Sequence, residues 1–213
     1  MVSTNSLRDR QAYYKLAAYL RDEYSFAVME QYNINHASDA KEDMESLANK
    51  YIEILKRIQP NGPYNLGGWC FGGCVAYEMA RQLTLAGESV DKLIMLDSHI
   101  IESEEMREKI LASSKTNSRE FLSNSPQCED IREKGLLDRY IENSFRASRI
   151  WLEYNPPEYE GDVLYVKAGV KAPGLTETAD EMYNILLKEK AAGYEKRIPA
   201  DHFLLTGVPL PPQ

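Results

Sequence analysis

The sequence has few of the features that mark secreted, membrane or nucleic-acid-binding proteins. Only three of its 213 residues are cysteine, too few and too closely placed to form a disulfide framework. No run approaches the roughly 18 apolar residues of a membrane helix, and the amino terminus lacks the apolar segment of a signal peptide. Lys and Arg number 25 against 33 Asp and Glu, a net charge of -8. That balance argues against nucleic-acid or anionic-membrane partners.

The remaining composition is that of a globular protein, with 43% hydrophobic and 27% charged residues. A chain of this length can bury a sizeable core within one domain. We therefore expect a single cytoplasmic domain over residues 1–213.

Short apolar segments alternate with segments of helical periodicity. Helical spacing runs through residues 41–58, with Ser38 or Asp39 as the expected cap, and through residues 72–85. The segments that predict strands are residues 25–30, 64–68, 92–96 and 161–167. Because such alternation builds βαβ units, the sequence predicts an α/β fold with a mostly parallel sheet and helices on both faces.

Residues 102–154 interrupt this alternation. They are charged, helical by pattern and without a strand segment. We expect an insertion that forms a helical lid over the sheet. Ordinary crossover helices are the alternative, although crossovers are normally shorter.

Residues 68–72 (Gly-Trp-Cys-Phe-Gly) match the Gly-x-Ser-x-Gly nucleophile elbow, with Cys70 at the serine position. In such an elbow the nucleophile lies at the apex of a strained strand-to-helix turn, and flanking glycines let neighbouring backbone approach. The dipole of the following helix favours a thiolate, and the Phe71 N–H points to a developing oxyanion. The alternative is a glycine-rich turn that holds a buried structural cysteine.

Two further residues supply an acid and a base. Asp97 follows an apolar run and so ends a strand, at the sheet edge where sites form. It can accept the Nδ1–H of a histidine, or alternatively cap the next helix. His202 is the expected base, because the order nucleophile, acid, histidine is that of α/β-hydrolases. His36 lies in a polar stretch, and His99 belongs to the loop of the acid itself, which makes it harder for Asp97 to orient.

Four segments together resemble the thioesterase domains of nonribosomal peptide and polyketide synthetases. They are residues 62–73 (GPYNLGGWCFGG), 76–80 (AYEMA), 93–98 (LIMLDS) and 201–203 (DHF). The resemblance extends over nearly the whole chain. It implies an α/β-hydrolase fold with a helical lid over about residues 102–154.

The resemblance also implies a chemistry. An acyl or peptidyl chain arrives as a thioester on the phosphopantetheine arm of a carrier protein, with no bound cofactor and no metal. It passes to Cys70, activated by His202 and Asp97, with the Phe71 N–H as one oxyanion donor. Water or an internal amine or hydroxyl then releases it. The resemblance favours Trp69 as a residue that lines the acyl pocket, and packing beneath the lid is the alternative. A stand-alone editing thioesterase and a catalytically silent carrier- or product-binding domain are the alternatives.

The chain departs from the family pattern at its nucleophile. Cys70 stands where the family has serine, and a thioester acyl-enzyme stays activated toward amines. Cysteine therefore favours cyclisation or aminolysis over hydrolysis, unless it was introduced to hold an intermediate. Cys74, one helical turn later, is expected to be a packing residue, with a redox partner of Cys70 as the alternative.

The two ends depart as well. Residues 13–20 match the helix that follows the family's oxyanion loop, so residues 1–10 would have to form that loop, with Ser6 as the second donor. No strand precedes them, and no packing helix follows His202. We expect the family's amino-terminal strand and carboxyl-terminal helix to be missing.

Overall fold

Four parallel strands form one sheet in a computed structural model that describes residues 7–29, 42–124, 129–168, 180–181, 184 and 194–208. The strands are β1 (Tyr64–Trp69), β2 (Val90–Leu96), β3 (Val163–Ala168) and β4 (Phe203–Val208). Their spatial order is the chain order, and each neighbouring pair is parallel. The prediction of a parallel α/β fold is confirmed.

Six α-helices whose bounds the structure describes accompany these strands. They are α1 (Leu7–Leu20), α2 (Met44–Ile58), α3 (Phe71–Leu85), α4 (Glu104–Asn124), α5 (Glu129–Glu133) and α6 (Leu137–Glu153). Helix α3 connects β1 to β2 and packs against both strands and against α2. Its first turn therefore lies directly at the end of β1.

The beginning of α2 corrects the predicted cap. The helix starts at Met44, and the Asp43 carboxylate accepts the backbone N–H of Ser46 at 2.8 Å. A side chain caps a helix only from the residue that immediately precedes the first turn. Ser38 and Asp39 are too far upstream for that role and lie outside the described residues.

Two amino-terminal expectations are also corrected. Residues 24–28 have no regular secondary structure and Met29 forms a single bridge, so the strand predicted over residues 25–30 is not observed there. Helix α1 begins at Leu7, which makes the last residues of the expected oxyanion loop helical. Ser6, the expected donor, lies outside the described residues.

Buried tyrosine side chains pack against the ring of Tyr77 on α3. The ring of Tyr77 lies 5.6 Å from that of Tyr159 and 5.1 Å from that of Tyr194, between centroids. The Tyr77 hydroxyl donates a hydrogen bond to the Pro157 carbonyl at 2.7 Å, which satisfies its polar end. Burial raises the pKa of Tyr77, so this donor stays protonated.

Helices occupy the segment predicted to form the lid. Helices α4 and α6 pack against each other, and α6 also contacts α3. The Tyr154 hydroxyl, directly after α6, donates to the carboxylate of the fully buried Glu78 at 2.8 Å. Arg81 donates two hydrogen bonds to the same carboxylate. This network fixes the carboxyl end of α6 to α3, while the role of the segment as a lid stays a prediction.

The strand-to-helix connection has no space for a side chain at two glycines. A Cβ at Gly68 would lie 2.2 Å from backbone atoms of Gly72, and one at Gly73 would lie 1.9 Å from the Ser98 hydroxyl oxygen. Glycine at position 68 therefore lets β1 and α3 approach this closely, and glycine at position 73 lets α3 approach the loop that carries Ser98.

Replacing Gly68 with alanine is expected to lower the free energy of unfolding by about 3 kcal/mol, because backbone atoms have to move. Gly87→Ala is the matched control: its φ of +80° is unfavourable for alanine, but nothing lies within 4 Å of the added Cβ. We expect the control to cost about 1 kcal/mol. Urea unfolding followed by circular dichroism compares the two, and equal losses would contradict the steric argument.

Candidate active site

Cys70 occupies the turn between β1 and α3 with an unusual backbone conformation. Its φ is 53° and its ψ is -122°, a region that residues other than glycine rarely adopt. The Cys70 N–H donates to the Leu96 carbonyl at 2.8 Å, which ties the turn to the end of β2. The side chain is partly exposed, so the alternative of a buried structural cysteine is not supported. This is the geometry of the predicted elbow.

The first turn of α3 directly follows Cys70. Phe71 is the first helical residue, and N–H groups in a first turn have no intrahelical acceptor. Because the positive end of the helix dipole lies here, negative charge on the sulfur or on a bound oxyanion is favoured. The Phe71 N–H is therefore positioned by the fold for the predicted role of oxyanion donor, which stays a prediction.

Cys74 lies one turn further along α3 and is fully buried. Its thiol lies 3.7 Å from the Cys70 carbonyl oxygen and 3.8 Å from that of His99, at weak hydrogen-bond distance. Burial raises the pKa of Cys74 to about 11. A thiol in this environment is inert at neutral pH, which agrees with a packing role and argues against a redox partner.

Asp97 lies at the same edge of the sheet as Cys70. The register pairs Trp69 with Leu96, so the residue after each strand falls at the same level. Asp97 also has a positive φ, 47°, and its N–H donates to the Val166 carbonyl at 2.7 Å. Cys70 and Asp97 are the only non-glycine residues with positive φ in the part of the chain that the structure describes. The expected carboxyl-edge position of Asp97 is confirmed.

The imidazole beside Asp97 is that of His99. Its Nε2 lies 3.7 Å from the Asp97 Oδ1, and the side chain is buried. Burial lowers the pKa of His99, Lys167 lowers it further, and the Asp97 carboxylate opposes both. His99 is therefore held neutral near pH 7, in the form that accepts a proton. Sequence reasoning underrated this residue, although its spacing of two from the acid was visible.

His202 does not lie at this edge, and the expected contact with Asp97 requires correction. Phe203, the first residue of β4, pairs with Val163, which pairs with Leu93. His202 therefore precedes β4 at the amino edge of the sheet, five positions from the level of Asp97. At about 3.3 Å per residue this is about 16 Å along the strands.

At the amino edge, the His202 Nδ1 lies 2.7 Å from the Asp162 Oδ1, and Nε2 lies 3.8 Å from the Asp201 Oδ2. The hydrogen bond with Asp162 raises the pKa of His202. The carboxylate partner of this histidine in the structure is thus Asp162, because parallel pairing of β3 and β4 brings their starts together.

Trp69 ends β1 next to the nucleophile position, with 39% of its surface exposed. Its backbone N–H donates to the hydroxyl oxygen of Tyr13 at 2.8 Å, and Tyr13 is buried. This contact ties α1 to the elbow, across 56 residues of sequence, and no local pattern indicated it. The expected role of Trp69 in an acyl pocket stays a prediction.

Within the described ranges, no three His, Cys, Asp or Glu side chains converge as a metal site would require. Likewise, none of the helices in the described part of the chain has the length and apolar content to cross a bilayer.

The fold and the elbow define an enzyme class, the α/β-hydrolases, in which a nucleophile at a strand-to-helix turn faces an acid at the neighbouring strand end. Residues 9–188 match the family model of the thioesterase domain. The chain belongs to this thioesterase family.

Solved structures agree with this assignment. The NocB thioesterase domain from the nocardicin cluster, in covalent complex with a fluorophosphonate nocardicin G analog, is 25% identical with a TM-score of 0.64. The similarity covers 98% of this chain and 81% of that one. The type II thioesterase BorB from the borrelidin cluster shares the fold, with a TM-score of 0.60 at 17% identity over 97% of this chain and 81% of its own.

The sequence relatives are much longer proteins. Polyketide synthase 1 of Metarhizium brunneum is 54% identical over 55 residues, which are 26% of this chain and 3% of that protein. The non-reducing polyketide synthase stmB of Aspergillus ustus is 51% identical over 57 residues, which are 27% of this chain and 3% of that protein. The matched region thus spans about 3% of the curated relatives.

Alkylation distinguishes Cys70 from Cys74. Because Cys70 is partly exposed at a helix N-terminus, we expect iodoacetamide to modify it near neutral pH while the buried Cys74, with a pKa of about 11, stays unmodified. Peptide mass spectrometry measures each site, and the urea-unfolded chain is the control in which both react. Modification of Cys74 in the folded protein at the rate of Cys70 would contradict the assignment.

Proposed function

We propose that this chain is a thioesterase that releases an acyl or peptidyl chain from the phosphopantetheine arm of a carrier protein, through an acyl thioester on Cys70. The observation that carries the proposal is the strained, partly exposed Cys70 at the amino end of α3. Membership of the thioesterase family and similarity to polyketide synthases support the substrate class. The reaction requires no bound cofactor or metal.

The chemistry follows from the elbow. The Cys70 thiolate attacks the carbonyl carbon of the incoming thioester, and the oxyanion that forms is stabilised by the Phe71 N–H and the helix dipole. The carbon–sulfur bond to pantetheine then breaks, and the base gives the pantetheine thiolate the proton that it took from the Cys70 thiol. Water or an internal amine or hydroxyl attacks the acyl-enzyme, loses its proton to the base, and returns Cys70 as thiolate.

Cysteine in place of serine affects the second half of this reaction. Transfer from one thioester to another is close to isoenergetic, whereas an oxygen ester on serine would be more stable. The acyl group on Cys70 therefore remains reactive toward amines as well as water. This favours cyclisation or aminolysis of chains that carry an amine.

Each of two imidazoles has one observation in favour of its role as base. His99 is favoured by geometry, since its Nε2 lies 3.7 Å from the Asp97 carboxylate at the edge that carries Cys70. His202 is favoured by its Asp-His-Phe sequence alone, and would need to move about 16 Å along the strands to reach that edge. The geometry therefore supports His99, with Asp97 as its carboxylate partner.

Intact-protein mass spectrometry tests the nucleophile. After incubation with acyl-loaded carrier protein, we expect the chain to gain the mass of the acyl group at Cys70, and Cys70→Ala to gain none. Cys70→Ser should retain acylation but yield less cyclised or aminolysed product relative to hydrolysed product. An unchanged product ratio would contradict the role given to the thioester.

The same experiment separates the alternatives. An editing thioesterase would turn over short acyl-pantetheines as readily as long chains. A silent binding domain would retain the carrier without any covalent adduct, which would overturn the proposed function.

Paired substitutions identify the base. We expect His99→Gln to reduce kcat/KM by about 10²-fold or more, because no group of suitable pKa then accepts the proton, while His202→Gln has a much smaller effect. Thermal unfolding of both variants controls for stability. The reverse pattern would reinstate His202 as the base and would require residues 200–208 to adopt a different arrangement during catalysis.

A further inference from the structure

We infer that Trp151 is a positioning residue for Asp97, and that its indole N–H holds the loop that carries this carboxylate. The inference rests on the proposed function, because it assigns Trp151 a part in the reaction of Cys70. The indole Nε1 donates a hydrogen bond to the His99 carbonyl oxygen at 2.7 Å, although the two residues are 52 positions apart.

Hydrogen bonds from other parts of the chain hold the backbone of the loop at residues 97–99. The Asp97 N–H donates to the Val166 carbonyl at 2.7 Å, and the Tyr165 hydroxyl donates to the Ser98 carbonyl. Both contacts come from β3. The loop therefore depends on long-range hydrogen bonds for its conformation.

Asp97 has particular need of such support. A non-glycine residue with a φ of 47° has a strained backbone and keeps that conformation only when its surroundings impose it. The His99 carbonyl lies two residues downstream, so the Trp151 hydrogen bond restrains the far end of the strained segment. If the restraint is removed, the carboxylate samples orientations in which it no longer faces the imidazole.

The helix that carries Trp151 is itself anchored. Tyr154, one turn later, donates to Glu78 at 2.8 Å, and that carboxylate is buried and held by Arg81. Trp151 is thus fixed relative to α3, the helix that begins directly after Cys70. The end of α6 links the acid loop to the helix of the nucleophile.

The test uses the complete chain with Trp151→Phe, and a second variant with benzothienylalanine at position 151. The second keeps the bicyclic ring and removes only the N–H. With a hexanoyl N-acetylcysteamine thioester as substrate, we expect kcat to fall about three- to tenfold with KM unchanged in both variants. Ser148→Ala is the matched control: it removes one hydrogen bond, to the Ser144 carbonyl, from the same helix but none from the acid loop or its anchor, and should leave kcat unchanged.

A double-mutant cycle gives the decisive comparison. If Trp151 acts through Asp97, its substitution should have no further effect on kcat in an Asp97→Asn background. A loss of kcat that persists in that background, or wild-type kcat in the benzothienylalanine variant, would overturn the inference.

Hydrogen exchange tests this inference independently of the proposed function. The Asp97 amide, which donates to Val166, should exchange at least several-fold faster in both Trp151 variants and not in Ser148→Ala. Absence of Cys70-dependent turnover in the wild type would overturn the proposed function alone. Unchanged exchange at Asp97 would overturn the role of Trp151 whether or not the protein is active.

Discussion

The turn that joins β1 to α3 is the constraint on which the rest of the site depends. Cys70 holds a φ of 53° there, a conformation that costs about 1–3 kcal/mol and that must be imposed by packing. The packing is visible at Gly68, where an added Cβ would fall 2.2 Å from the Gly72 backbone. Close approach of strand and helix thus leaves the thiol at the helix N-terminus, where negative charge is stabilised.

A second strained residue completes the edge. Asp97 has its own positive φ, and the two turns are joined because the Cys70 N–H donates to Leu96, the residue before Asp97, at 2.8 Å. The Asp97 N–H in turn donates to Val166 on β3 at 2.7 Å. These hydrogen bonds join the ends of β1, β2 and β3 and hold Cys70 and Asp97 at the same level of the sheet. Strained backbone conformations cluster at active sites, and the strain at both positions agrees with a candidate active site at this edge.

Tyrosine hydroxyls and the Trp151 indole donate hydrogen bonds that hold the loops around the site in place. The chain contains 14 tyrosines against 5 phenylalanines. Tyr77, Tyr154 and Tyr165 each pack a ring in the interior and donate to a carbonyl or a buried carboxylate. An aromatic ring with a donor at its end supplies apolar burial and fixes a loop at the same time. A phenylalanine core would pack equally well but leave these loops unrestrained.

The sequence by itself determined the elbow at Cys70, the strand that ends at Asp97 and the parallel fold, because glycine spacing and apolar runs are local patterns. It predicted Ser38 or Asp39 as the cap of α2, a strand over residues 25–30 and His202 beside Asp97, and the structure differs on all three. Only the tertiary structure decided these, since they depend on pairing between distant segments. The register of β4 separates His202 from the acid, and folding of the chain brings His99 and Trp151 together, which no short-range pattern encodes.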